Sequence, residues 1–175
     1  YSDDFELSSF SYKRITHFDD GMKQAQGKEV YSVPDETLQA VMAELYKQRI
    51  IRVEDITQVT IRQVLKQLRQ RKCYDHVAQI FSRITGIPAP RVSVDVEERC
   101  RMMFVAMQPS FERHCPKTRK NFLSYKYVLY RCLHLLGQTH MLDTFTLLRG
   151  SDKLASADCI FASICKDLGW NFVPI

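Results

Sequence analysis

Apolar residues recur along most of this chain at steps of three and four, the spacing that places them on one face of an α-helix. No stretch alternates between apolar and polar residues over the length of a strand. We therefore predict an all-α fold of about seven or eight helices. Besides the central stretch described next, helices are predicted from residue 11, from Pro34, from about residue 55, from residue 74, from residue 95 to Pro109, and from Ser151.

The other helices are expected to pack around residues 116–138, where almost every position outside one narrow line is apolar or aromatic. A helix that is apolar around most of its circumference packs on several neighbours. We predict a central buried helix near residues 118–137, ended by Gly137. The polar line, which we expect to reach the surface, consists of Lys120, Ser124, Tyr127, Arg131, His134 and Gln138.

Length and composition favour one domain. A chain of 175 residues with 45% hydrophobic content is long enough to bury one core. Residues 1–10 are acidic and unpatterned and predict a loose lead-in, whereas residues 11–175 predict a single helical domain. The alternative is a subdivision at residues 86–91, where two prolines break the helical pattern. No apolar run approaches the length of about 18 residues that a membrane span needs, so no membrane contact is expected.

The six cysteines do not form a zinc-binding pattern. No C-x-x-C occurs, although structural zinc favours ligands that are closely paired in sequence. Most of the cysteines fall within apolar helical patterns, where free cysteine behaves as a small buried hydrophobe. We interpret them as core thiols in a reducing intracellular environment, with metal ligands as the alternative.

Positive charge is concentrated in two blocks. Residues 61–91 contain seven Lys or Arg and one Asp, a net charge of +6, and residues 115–137 contain five Lys or Arg and no acid. Because the whole chain has a net charge of +5, the remainder is acidic. The blocks predict a localised anion-binding surface, the alternative being ordinary solvated helix faces. The expected phosphate contacts are Lys117, Arg119, Lys120 and Arg131, with Arg69, Arg71 and Lys72 as a second cluster.

Catalytic motifs are missing from the sequence. It contains no Gly-rich phosphate loop, H-E-x-x-H, G-x-S-x-G or EF-hand loop, and no two histidines stand four residues apart. We predict that the chain is not an enzyme, unless a ligand cluster is hidden by the spacing in sequence.

The helices predicted on either side of the basic break at residues 70–72 are compatible with a DNA-docking helix-turn-helix. They are equally compatible with an ordinary antiparallel helix pair.

The run RHCPKTRKNFLSYKYVLYRCLHLLG resembles the central signature of the poxvirus-type late transcription factor 3 family, found in large double-stranded DNA viruses of eukaryotes. The likeness extends to SYKRITHF, RITGIPAP, SDKL and ICKDLGWNFVPI, and covers about residues 12–174. The resemblance implies an activator of viral late genes that acts on double-stranded DNA at late promoters, together with the viral RNA polymerase and other viral late transcription factors. It also implies localisation to the host cytoplasm, at the viral factory, with the nucleus as the alternative.

Family members commonly place a cysteine-rich zinc-binding segment ahead of this domain, and this chain shows none. We therefore expect no cofactor in this chain, and zinc only in a segment outside it. Two functions follow as hypotheses. In the first, the basic residues contact DNA. In the alternative, the chain is a protein-interaction module that recruits the polymerase or companion late factors without itself binding DNA.

Overall fold

Seven α-helices and three 3-10 helices make up the part of the chain that the computed structural model describes, residues 2–145 and 151–174. No strand occurs in these ranges, so the all-α prediction is confirmed. None of the helices described is long and apolar enough to cross a bilayer. The α-helices are α1 (Ser2–Ala25), α2 (Asp35–Lys47), α3 (Gln58–Gln67), α4 (Val77–Thr85), α5 (Val94–His114), α6 (Tyr125–Leu135) and α7 (Ser151–Leu168), and the 3-10 helices are Val53–Asp55, Arg71–His76 and Thr139–Thr144.

The chain divides into two compact units. Unit 2 is Asp20–Arg91, and unit 1 combines the residues up to Asp19 with those from Val92 onward. The end of unit 2 coincides with the alternative subdivision at residues 86–91, while the single-domain assignment of residues 11–175 stays a prediction. Helix α1 begins at Ser2, so the predicted loose lead-in is helical over the residues described. Acidic side chains stabilise the start of a helix, where the helix dipole is positive. The acidic residues of this segment therefore indicated a helix start, and our prediction did not take them into account.

Unit 2 is built around α3. Thr57 caps this helix: its hydroxyl accepts the N–H of Thr60, and its own N–H donates to the Thr60 hydroxyl. Ile61, Val64 and Leu65 of α3 are buried, whereas Met42 on α2 is 51% exposed. Val41 and Leu45, four residues apart, face the core, and Met42 lies about 100° around the helix from Val41. The buried cluster is Val33, Val41, Leu45, Ile56, Ile61, Val64, Leu65, Cys73, Val77 and Ile80.

The core of unit 1 lies where α5 packs against α6 and α7. The sequence predicted that this helix ends at Pro109, but α5 continues to His114. The proline deprives the carbonyl of Val105 of its helical partner. Val105 lies on the exposed side of α5, where water satisfies such a carbonyl at low cost. One residue earlier, the side-chain amide of Gln108 donates to the carbonyl of Phe104 at 2.9 Å.

Helix α6 begins at Tyr125, later than the predicted start near residue 118. The Ser124 hydroxyl accepts the N–H of Tyr127 and so forms the N-cap. Before it, the carbonyl of Pro116 accepts the N–H of Arg119 in a turn, which takes this segment out of the helix. From Tyr125 onward the prediction of a buried helix is confirmed. Its buried residues are Tyr127, Val128, Leu129, Arg131, Cys132 and Leu133.

Candidate nucleic-acid interface

Arg131, one of the predicted phosphate contacts, lies in the core of unit 1. Its residue surface is only 1% exposed. One guanidinium nitrogen is 2.6 Å from Oδ1 of Asp158, and Nε donates to the Tyr127 hydroxyl at 3.1 Å. Another donates to the backbone carbonyl of Val173. A guanidinium enclosed and paired in this way does not reach a phosphate, so the prediction for Arg131 is wrong.

The surroundings of Arg131 explain why a charged residue is tolerated in the core. The Tyr127 hydroxyl donates to the same Asp158 carboxylate, and the Phe172 ring lies 4.7 Å from the guanidinium carbon. Burial raises the pKa of Tyr127, which therefore stays neutral as a donor. Asp158 stands four residues after Leu154 and three before Phe161, within the apolar line of α7. A carboxylate at such a position needs a polar partner inside the core. Asp158 within the apolar line of α7 was therefore the signal in the sequence that a polar residue such as Arg131 is buried.

The other predicted cluster residues of unit 1 lie in the connection between α5 and α6. Lys117 and Lys120 are exposed, and Arg119 is half-buried with its Nε donating to the carbonyl of Asn121 at 3.0 Å. All three precede the first residue of α6 by at least five positions, so they lie outside that helix. Two exposed cations in a connecting segment form a sparse surface for a polyanion.

Neighbouring basic groups of unit 1 are already paired with an acid. Asp167 accepts from Ser110 at 2.6 Å, from Arg113 at 2.9 Å and lies 2.7 Å from Nε2 of His114. These hydrogen bonds hold the pKa of the Asp167 carboxyl well below its usual range. Arg113 therefore adds less positive potential to this side of the unit than an unpaired arginine would.

The second predicted cluster lies in unit 2, at the end of α3 and the start of the following 3-10 helix. Arg69, Arg71 and Lys72 are all exposed. The side chains of Gln48 and Gln67 join the ends of α2 and α3 through a hydrogen bond of 2.5 Å. Because that bond brings the two helix ends together, further exposed cations stand beside the predicted ones. We call the resulting set of six the basic cluster: Lys47, Arg49, Lys66, Arg69, Arg71 and Lys72.

Two of the six residues of the basic cluster could not be identified from the block of charge alone. Lys47 and Arg49 lie outside residues 61–91 and approach Arg69 only through the packing of α2 on α3. Lys66 lies within the block, and its position one residue before Gln67 places it in the cluster. Within the described part of the chain, these side chains form no ion pair with an acid. Positive charge is therefore left available to an outside partner.

Two arginines of the basic cluster adopt the left-handed backbone conformation. Arg49 has φ +61° and Arg69 has φ +56°, each directly after the cap of its helix. In both cases the N–H of the next residue donates to the carbonyl five residues back, Leu45 or Leu65, which completes a Schellman motif. Glycine is the usual residue there because a side chain costs roughly 1–2 kcal/mol in this conformation. Arginine twice at such a place suggests a use for its charge.

Replacing Arg69 by glycine is expected to stabilise the protein. The variant removes the strain of the left-handed conformation but adds conformational entropy to the unfolded chain, so the net gain is about 0.5–1 kcal/mol. Urea unfolding of Arg69→Gly measures it. Arg71→Gly is the matched control, because Arg71 lies in a 3-10 helix where glycine brings no relief and lowers stability. Equal effects of the two substitutions would mean that Arg69 is not strained.

No metal centre is evident among residues 2–145 and 151–174, since no three His, Cys, Asp or Glu side chains there are placed to hold an ion. The cysteines are free thiols, of which Cys115 is half-buried and Cys159 exposed. The remaining four (Cys73, Cys100, Cys132 and Cys165) are buried, as the interpretation of core thiols predicts.

Comparison with known proteins gives the family. The model of the family described as Poxvirus Late Transcription Factor VLTF3 like matches residues 6–172. The chain is 40% identical over 173 residues to "Putative transcription factor A494R" of Paramecium bursaria Chlorella virus 1, covering 99% of this chain and 48% of that protein. It is 37% identical over 167 residues to "Putative transcription factor R429" of Acanthamoeba polyphaga mimivirus, covering 95% and 38%.

A more distant relative is "Zinc finger protein B385R" of African swine fever virus, 26% identical over 118 residues, which cover 65% of this chain and 31% of that protein. No solved structure matches. The chain thus spans about half the length, or less, of the relatives it matches. The family model covers nearly the whole chain, and the same viral family was indicated by the run around HCPKTRKNFLSY. This chain belongs to the poxvirus late transcription factor VLTF3-like family.

Proposed function

We propose that this chain is the DNA-contacting domain of a viral late-gene transcription factor, an activator that works with the virus-encoded RNA polymerase and companion late factors at late promoters. Membership of the family supports the role in transcription. The basic cluster of unit 2 supports the contact with DNA. In this proposal the protein acts in the host cytoplasm, at viral factories.

The observation on which the DNA contact rests is the convergence of six exposed Lys and Arg at the adjoining ends of α2 and α3. Cations in the last turn of a helix complement its dipole, which accounts for Lys47 and Lys66 without any ligand. It does not account for Arg71 and Lys72, which lie beyond the helix end. A surface with this density of cations matches the regular negative charge of a nucleic-acid backbone.

A protein-interaction module is the second candidate, and one feature of unit 2 favours it. Met42 and Tyr46 stand four residues apart on α2 and are 51% and 72% exposed. Tyr46 directly precedes Lys47 and stands three residues before Arg49 of the basic cluster, so apolar and basic side chains are neighbours at this end of α2. Exposed aromatic and methionine side chains beside arginine are typical of protein interfaces. In this reading the acidic partner is the polymerase or a companion factor.

The salt dependence of DNA binding tests the proposal. If the basic cluster neutralises about five phosphates, the logarithm of affinity for duplex DNA falls with the logarithm of salt concentration with a slope of roughly −4 to −5. Changing Arg69, Arg71 and Lys72 together to Glu is expected to flatten this slope by at least about 2 and to weaken binding to unrelated sequences alike, because phosphate contacts carry no sequence information. Fluorescence anisotropy across salt concentrations measures both quantities.

The matched control is the change of Lys117, Arg119 and Lys120 together to Glu, which alters the charge by the same amount in unit 1. We expect a smaller effect on the slope, since this surface is sparser. Circular dichroism melts verify that both variants remain folded. A protein that shows no salt-dependent affinity for DNA, but loses capture of the viral polymerase when the basic cluster is reversed, would replace the proposal by the interaction module.

A further inference from the structure

We infer that α3 is the element that enters the major groove of duplex DNA, and that Gln63 and Val59 read an adenine and a thymine there. The inference rests on the proposed function, because it assumes that the basic cluster holds the DNA backbone. It adds a base-reading surface to that cluster. The surface is the α3 outer face, which consists of the exposed residues Val59, Gln63, Lys66, Gln67 and Gln70.

The composition of α3 and its extension is unusual for a surface helix. From Ile56 to Tyr74 the chain contains four glutamines and five Lys or Arg, and no Asp or Glu. Exposed helices commonly mix acids with bases, because pairs of opposite charge four residues apart stabilise them. Here every acid is absent, and amides take the remaining polar positions. Cations that hold phosphates and amides that bond to base edges are the two side-chain types that sequence-specific DNA binding requires.

Gln63 is placed to read a base. It is exposed at the middle of the α3 outer face, and within the described part of the chain its amide forms no hydrogen bond. Gln67, one turn later, is instead engaged by Gln48. A free glutamine amide matches the N6 and N7 edge of adenine with two hydrogen bonds. Of the glutamines of α3, Gln63 is therefore the one with both the exposure and the free donors and acceptors for this contact.

Val59 supplies the second contact. It is 50% exposed and stands four residues before Gln63, so both lie on the same line of the helix surface. Half of the Val59 side chain is open to an outside partner, and the methyl group of thymine is an apolar partner that the major groove offers to it. Residues four apart are separated by about 6 Å along the helix axis, which corresponds to roughly two base-pair steps.

The phosphate contacts fit the same orientation. Lys66 and Arg69 follow Gln63 by three and six residues, toward the end of α3 where the basic cluster lies. An α-helix fits the major groove of B-form DNA, whereas the major groove of A-form RNA is too narrow for side chains to read. An acidic protein surface would use the cations but would have no need of a row of amides. The chemistry therefore favours duplex DNA with an adenine and a thymine within about two base-pair steps of each other.

Selection from a random duplex pool tests the inference. The 175-residue protein is expected to enrich sequences with fixed adenine and thymine positions. Replacing that adenine pair by G·C should lower affinity by between about fivefold and about 150-fold, the range of a good bidentate contact. Gln63→Ala should lose this preference at that one position while keeping the affinity for unrelated duplex and the salt slope. Val59→Ala should relax the thymine position alone.

Gln39→Ala is the matched control, because Gln39 is an exposed glutamine on α2 and lies off the α3 outer face. It is expected to leave the enriched motif unchanged. If the wild-type protein binds duplex DNA with the expected salt slope but Gln63→Ala enriches the same motif, the inference is overturned and the proposed function stands. Equal competition by duplex RNA also overturns it. If the protein shows no affinity for duplex DNA, the proposed function fails, and the inference with it.

Discussion

Arg131→Ala is expected to destabilise the protein by about 3–5 kcal/mol, near the top of the range for single substitutions. The substitution leaves the Asp158 carboxylate without its cation and removes a donor to the carbonyl of Val173. It also opens space beside the rings of Phe161 and Phe172. Because the Asp158 side chain keeps 23% of its surface in water, we expect a loss in the lower half of this range. Urea unfolding followed by circular dichroism measures the change.

Arg99→Ala provides the comparison. Arg99 also pairs with an aspartate, Asp95 at 3.2 Å, but both side chains are more than half exposed. A surface pair of this kind contributes about 1 kcal/mol or less. The double substitution of Arg131 and Asp158 by Ala should cost less than the sum of the single substitutions, because the second removes the unpaired charge left by the first. Equal losses for Arg131→Ala and Arg99→Ala would show that Arg131 is not buried.

Phe104→Ala is expected to cost a similar amount, about 3–5 kcal/mol. Phe104 is 1% exposed on α5, and its ring stacks on Phe18 with centroids 4.4 Å apart. The Phe122 ring lies nearly perpendicular to the Phe104 ring, with the two centroids 5.5 Å apart. Truncation leaves a cavity among rings that α1, α5 and the segment before α6 hold in place, so little of it can close by relaxation. The free energy of unfolding in urea is again the measurement.

The neighbouring residue is the control for Phe104. Val105 lies about 100° around α5 from Phe104 and is 56% exposed, so Val105→Ala should change stability by no more than about 0.5 kcal/mol. If residues 11–175 form a single cooperative domain, as the sequence predicts, Phe104→Ala shifts the transition as one step. A second transition that keeps its wild-type midpoint would instead mean that unit 2 unfolds by itself.

Apolar periodicity predicted the inward faces well where a helix buries one side. Steps of three and four place Ile61, Val64 and Leu65 on one face of α3, and Phe161 and Ile164 on one face of α7, and all five are buried. Periodicity was less informative at the ends of helices, since turns such as the one after Pro116 depend on single hydrogen bonds. The start of α6 at Tyr125 was therefore missed by several residues.

The candidate site shows a different limit. The sequence marks Arg69, Arg71 and Lys72 by their density of charge, and all three are exposed. Arg131 has the same charge and stands in a polar stripe, but a stripe looks the same in sequence whether it faces water or, as here, the half-buried Asp158. The distinction depends on tertiary packing. So does the approach of Arg49 to Arg69, which the bond between Gln48 and Gln67 reveals.

The buried cysteines give the protein its own internal reporters of local opening. Burial raises the pKa of Cys100 to about 12 and that of Cys165 to about 11, and it raises the pKa of Cys73 as well. Alkylating reagents attack the thiolate, so these groups react only when the surrounding structure opens and restores both water and an ordinary pKa. Cys73 belongs to unit 2 and the other two belong to unit 1. Alkylation rates, separated by peptide mass, thus report the free energy of opening of each unit without any label being introduced.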